Sequence, residues 1–135
     1  MPFVDTNVLL YAISNDPAEH DKAVRANEIL AARDAALSVQ VLQEFYVQAT
    51  RAGRPDRIAH DHAVRLVESF LRFPVAAMTT NMMRAAMATS ERFTISYWDA
   101  AILEAARSLR CDVVLSEDLS DGQDYAGVRV VDPFS

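Results

Sequence analysis

Three observations predict an α/β fold, a three-layer α/β/α sandwich around a mostly parallel central sheet. Short β-like runs alternate with helical ones along all 135 residues. Strands separated by helices imply βαβ units, whose sheet is covered on both faces. The 51% hydrophobic content supplies a sizeable core, and no repeat, low-complexity tract or linker interrupts the alternation. One domain over residues 1–135 is expected.

The elements follow in order. Phe3-Val4 before Asp5 reads as a very short first strand, and residues 7–13 (NVLLYAI) as a short helix. Residues 18–33 carry Ala23, Ala26, Ile29 and Leu30 at helical spacing. AALSV (35–39) is a second strand, ending at Ser38, a good N-cap. A helix over about 39–52 presents Val41, Leu42, Phe45 and Ala49 on one face and stops at Gly53. GRPDR is a turn, and residues 56–71 form another amphipathic helix. FPVAAM is the third strand. TTN caps a Met- and Ala-rich helix reaching about residue 92, and ISYWD opens a helix ending near Arg110. DVVLS (112–116) is the clearest strand, EDLSDGQDYAG a loop, and VRVVD (128–132) the last strand.

The totals narrow the function classes. The single Cys111 excludes an internal disulfide and fits a reducing compartment. No signal peptide is visible, and no apolar run approaches the roughly 20 residues that span a membrane. A cytoplasmic protein with no membrane partner is expected. A net charge of −6 argues against gripping nucleic acid by overall positive charge. It leaves open a site where metal ions supply the positive charge.

The acids give that site. In an open parallel sheet, ligands bind beyond the carboxyl ends of the strands. Asp5 lies just past the first strand, and Glu44 on the helix after the second. Asp118 lies past the fourth, and Asp99 in the first turn of the helix that leads into the fourth. That helix runs antiparallel to its strand, so its start lies at the same sheet edge. Four clustered carboxylates need compensation to stay ionised. Mg2+ or Mn2+ supplies it through oxygen ligands, and two divalent ions would balance four acids. Such a site activates water and neutralises phosphate in phosphodiester hydrolysis.

Each acid also has an ordinary role. Asp5 can cap the helix that follows it. Ser96-Tyr97-Trp98-Asp99 fits a capping box. Glu44 can be a solvated helix charge, and Glu117 and Asp118 can serve a turn. The functional case rests on the four positions together.

The segments FVDTNVLLYA, VLQEFY, ISYWDAAILEAA and VVLSEDLSDGQDYAGVRVVDPF resemble PIN-domain ribonucleases, closest to VapC-type toxins of prokaryotic toxin–antitoxin pairs. The resemblance covers essentially the whole chain and keeps the order of the four acids. It implies a PIN-like fold, Mg2+- or Mn2+-dependent endoribonuclease activity, and products with 3′-hydroxyl and 5′-phosphate ends. It further implies an RNA substrate, a homodimer, and neutralisation by a cognate antitoxin lying across an apolar groove. Residue by residue, Asp5 and Asp99 match the family's most regular metal-binding acids, and Glu44 and Asp118 match the other two. Thr6 and Ser116 match auxiliary hydroxyl positions. The departure is the adjacent pair Glu117-Asp118 at the fourth station. Neighbours leaving a strand point to different sides, so Asp118 is preferred as the acid and Glu117 kept in reserve.

Other signals weigh less. Arg51, Arg54 and Arg57 can track phosphates or be ordinary solvated charges. Tyr97 and Trp98 border the site and can stack on an unpaired base or pack in the core. His60 and His62 face different directions on a helix and make a poor metal pair. The Met-bearing helix and NVLLYAI are candidate partner surfaces, with core packing the default. A haloacid-dehalogenase-like phosphatase would resemble DxD at the first turn and needs a lysine by the site. Here the turn reads Asp5-Thr6-Asn7, and the only lysine, Lys22, lies in an early helix. A receiver domain wants a lysine after a late strand, and no GxxxxGK is present for a P-loop. The remaining alternative is a non-catalytic PIN-fold binding module acting through protein or RNA partners.

Overall fold

A computed structural model describes residues 1–135. Six strands and six helices alternate: β1 (Phe3–Val4), α1 (Thr6–Ala12), α2 (His20–Ala31), β2 (Leu37–Ser38), α3 (Val39–Ala49) and α4 (His60–Phe70), then β3 (Val75–Ala76), α5 (Thr80–Phe93), α6 (Tyr97–Ser108), β4 (Val113–Leu115), β5 (Asp124–Tyr125) and β6 (Val128–Val131). β1, β4 and β6 pair in parallel, as do β2 and β3. The two groups join where Phe3 bridges Ala36, with Val4 N–H donating to the Ala36 carbonyl at 3.0 Å. The edge-to-edge order is therefore β3-β2-β1-β4-β6-β5.

Successive side chains on a strand face opposite sides. Phe3 and Val4 are both fully buried, so both faces of the sheet are covered, which defines the three layers. α1 packs on α2 and α3, and α3 on α4, while α6 pairs with α5 and lies against β2, β3, β4 and β6. One apolar cluster runs through β1, α3 and β4 and includes Phe3, Phe45, Leu103 and Val114. Ala86, Ala100 and Ala101 form a second, small cluster that lets α5 approach α6 closely. No helix is long and apolar enough to cross a membrane.

Three expectations shift. The stretch expected as a loop before the last strand contains β5, which pairs antiparallel with β6. Ala126 and Gly127 join them with φ of 54° and 95°. That two-residue turn with both φ positive is the hairpin turn that usually announces itself as Asn-Gly; Ala in the first position hid it. α4 starts at His60 and not near residue 56, because Ile58 N–H folds back to the Ala49 carbonyl at 3.0 Å. The helix expected from residue 18 opens with a 3-10 turn, Pro17–Glu19, capped by Asp16.

Burial bears on two other readings. Asn7, Val8 and Leu9 of α1 are buried in the core, while Leu10, Tyr11, Ala12 and Ile13 are half-buried. On α5, Met82 packs on the core while Met83 and Met87 stay exposed.

Candidate active site

Register brings the first two parts of the site together. Val4 pairs with Leu115, so the next residues, Asp5 and Ser116, sit side by side at the carboxyl edge. Asp5 N–H closes the ladder on the Leu115 carbonyl at 3.0 Å. The Ser116 hydroxyl donates to Asp5 Oδ2 at 2.8 Å, and Thr6 N–H donates to Asp5 Oδ1 at 2.7 Å. Asp5 thus does cap α1, and it also faces the site. Asp5 and Ser116 are both buried.

Four further side chains, Thr6, Gln40, Asn7 and Ser96, orient the remaining acids. The Thr6 hydroxyl donates to Glu44 Oε2 at 2.8 Å. Gln40, one turn earlier on α3, donates to Glu44 Oε1 at 2.9 Å and to the Trp98 carbonyl at 3.2 Å. The Asn7 amide donates to Asp118 Oδ2 at 3.1 Å and to the Ser116 hydroxyl at 3.2 Å. Ser96 caps α6 by accepting from Asp99 N–H at 3.1 Å, which fixes Asp99 in the first helical turn. Half of the expected capping box is therefore present. The Asp99 carboxyl nonetheless lies in the field of the other acids.

Electrostatics shows the convergence. Burial pushes the Asp5 carboxyl up to about 6. The Ser116 and Thr6 bonds oppose that rise, and the charges of Glu44 and Asp118 add to it. Burial also raises Asp99, the Ser96 hydroxyl opposes, and the charges of Asp118 and Glu44 raise it further. The charges of Glu44 and Asp118 thus bear on both Asp5 and Asp99, behind burial as the main cause.

Glu117 is not brought into this group. It bonds the Tyr11 hydroxyl and Lys22, whose ammonium lies 2.9 Å from Glu117 Oε2. Burial alone would raise the Glu117 carboxyl, but Tyr11 and Lys22 outweigh it and hold it below its ordinary range. Lys22 also sits 4.9 Å over the Tyr11 ring. The lysine expected to be remote thus reaches the site's flank, where it engages Glu117 and not Asp5. Arg54 pairs with Asp56 at 2.8 Å, and Arg51 and Arg57 are exposed, as solvated charges would be.

The donor set is all oxygen, which suits Mg2+ or Mn2+. No three of the acidic side chains close on one point as a ready chelate. Mg2+ is commonly held by one or two carboxylates with waters completing its shell, and the open spacing suits that mode. Each bonded carboxylate oxygen also keeps a second acceptor position. Two members of the network were not among the expected site residues. By sequence, Asn7 reads only as the first residue of the short helix after Asp5, and Gln40 only as part of the helix over about 39–52. For Gln40 the available signal was its position four residues before Glu44, on the same helix face.

A parallel-sheet protein with an acidic cluster at its carboxyl edge is the class that fold and site define. The PIN domain family model matches residues 3–120, and the chain belongs to that family. No curated protein gives a significant match to the sequence. Among solved structures, a toxin–antitoxin complex from Klebsiella pneumoniae is similar with a TM-score of 0.71 and 20% identity, covering 99% of this chain and 98% of that one. DNA-bound VapBC from Salmonella typhimurium aligns at 0.68 and 23%, covering 98% and 99%. Mycobacterium tuberculosis VapC20, a sarcin-ricin loop cleaving toxin, aligns at 0.66 and 21%, covering 84% and 87%.

Proposed function

We propose that this chain is an endoribonuclease dependent on Mg2+ or Mn2+, and the toxin of a toxin–antitoxin pair. The observation that carries the reading is the hydrogen-bonded network at the carboxyl edge, in which Thr6 bridges Asp5 to Glu44 and Ser116 with Asn7 bridges Asp5 to Asp118. Family membership and the toxins of similar fold support it. Asp5 and Asp99 would hold the ion, with Glu44 and Asp118 completing the site. When bound, the ion supplies a polarised water and neutralises charge on the phosphate. The protein's own part is orientation. Ser116 fixes Asp5, Thr6 and Gln40 fix Glu44, and Asn7 fixes Asp118, and each carboxylate would keep acceptor capacity for an ion.

The test is cleavage of a panel of structured RNAs with Mg2+, with Mn2+ and with chelator, beside Asp99→Asn. Asn retains the backbone bond to Ser96 and removes the charge. Cleavage is expected to need metal and to fall by about a hundredfold or more in the variant, with the melting curve retained. Equal cleavage by both proteins would point to a contaminant and leave Asp99 a capping residue. Neither cleavage nor metal binding would favour the non-catalytic binding module, whereas metal binding without cleavage would mean that the panel lacks the RNA this chain cuts.

The fourth acid can be tested separately. Asp118→Asn is expected to weaken Mn2+ binding by about tenfold, whereas Glu117→Gln leaves it within about twofold. Titration calorimetry reads both, and the reverse order would exchange their roles.

A cognate antitoxin and a homodimeric partner belong to the same proposal. Two of the similar structures, from Klebsiella pneumoniae and Salmonella typhimurium, are toxin–antitoxin complexes. Apolar surfaces open to an antitoxin include the exposed methionines of α5 and a trough of ≈ 520 Å3 between α3 and α4, lined by Val39, Val47, Val64 and Leu71 among others.

A further inference from the structure

We infer that Trp98 is a stacking platform for an unpaired RNA base beside the acid cluster, an inference that rests on the nuclease reading of that cluster. Trp98 is the chain's only tryptophan and is 64% exposed, more than any other large apolar side chain. Tryptophan is among the side chains with most to gain from burial, so its position in solvent is costly unless a ligand covers it.

Its placement is also rigid. Trp98 stands in the first turn of α6, between the Ser96 cap and Asp99. Its carbonyl accepts from Gln40, the same amide that orients Glu44. The backbone of Trp98 is therefore tied to two of the four acids. Tyr97 is half-buried against Ala86, Ala100 and Ala101. It meets the Trp98 ring edge-on, with centroids 4.9 Å apart and an interplanar angle of 84°. One ring is anchored in the protein and supports the other, which projects into solvent.

The charge balance explains why a stacking surface is needed there. The protein carries −6, and two basic side chains placed near the site's flank, Lys22 and Arg54, are paired with Glu117 and Asp56. Neither of these two cations is free to take up a backbone phosphate. Base–aromatic stacking attracts without net charge and requires an unstacked base. A splayed base in a loop meets that requirement, and a base inside a duplex does not.

The test uses Trp98→Ala, Trp98→Phe and Trp98→Tyr in the full chain. On an RNA that the wild type cleaves, Trp98→Ala is expected to raise KM by about 5- to 150-fold and leave kcat within about threefold. Phe and Tyr should recover most of the loss. Mn2+ affinity and the melting curve should be unchanged. The single tryptophan also reports on itself. Its fluorescence should be quenched by a short single-stranded RNA in Ca2+ buffer, and less by the same RNA carrying an abasic site or annealed to its complement. Unchanged KM in Trp98→Ala, or equal impairment in Trp98→Phe and Trp98→Ala, overturns the stacking role while leaving the nuclease intact. A wild type that cleaves no RNA removes the nuclease reading. Quenching then decides Trp98 independently: base-dependent quenching upholds the platform, and its absence overturns it.

Discussion

Asp5→Asn is expected to abolish RNA cleavage and yet raise the melting temperature of the metal-free protein by about 5–10 °C at pH 8. The Asp5 carboxyl titrates at about 6 in the folded chain against an ordinary value of 3.8. The folded state therefore holds this proton more tightly than the unfolded state. The associated stability is fully present below pH 3.8 and is lost as pH rises through about 6. By pH 8 the buried charge costs roughly 3 kcal/mol relative to the neutral form. Asparagine is neutral throughout, so the variant's advantage should grow between pH 4 and 7 and vanish in acid. Reorganising the Ser116 hydroxyl, which now donates to Asp5 Oδ2, takes back part of the gain. Mn2+ should reverse the ranking, because it stabilises the wild type by binding the ionised site. Thermal melts across pH, with chelator and with Mn2+, read all of this. A stability difference that does not change with pH would show that Asp5 is not the group titrating near 6.

Phe45→Ala should be the most damaging single truncation, lowering unfolding free energy by about 4 kcal/mol. Phe45 is fully buried and meets Phe70 edge-on at 5.3 Å, with an interplanar angle of 83°. That contact joins α3 to α4, so the lost ring removes both transfer energy and the packing between two helices. Glu44 precedes Phe45 on α3, and loosening the helix should also weaken Mn2+ binding. Phe45→Leu, which keeps much of the volume, should cost about 1.5 kcal/mol or less. Val47→Ala, on the 52% exposed side of the same helix, should stay within about 0.5 kcal/mol. Urea denaturation measures the three together. A Phe45 variant as mild as the Val47 variant would mean that the α3–α4 contact yields without loss of core packing.

Much of this protein was determined by local sequence alone. Apolar spacing placed all six helices and five strands, and Ser38 and Ser96 marked two helix starts because their hydroxyls satisfy free N–H groups. Three of the acids lie where chain order brings them near one sheet edge, Asp5 and Asp118 after β1 and β4 and Asp99 at the start of α6, whereas Glu44 lies in the middle of α3. Tertiary structure decided the rest. β5 is two residues long and exists only because β6 runs beside it. Glu117 and Asp118 are adjacent and chemically alike, and their roles part only because Tyr11 and Lys22 draw one away while Asn7 holds the other. Asn7 and Gln40 gain their importance from partners over a hundred residues away in one case and 58 in the other. Periodicity reports which face of an element is buried; only packing brings distant side chains within hydrogen-bonding range.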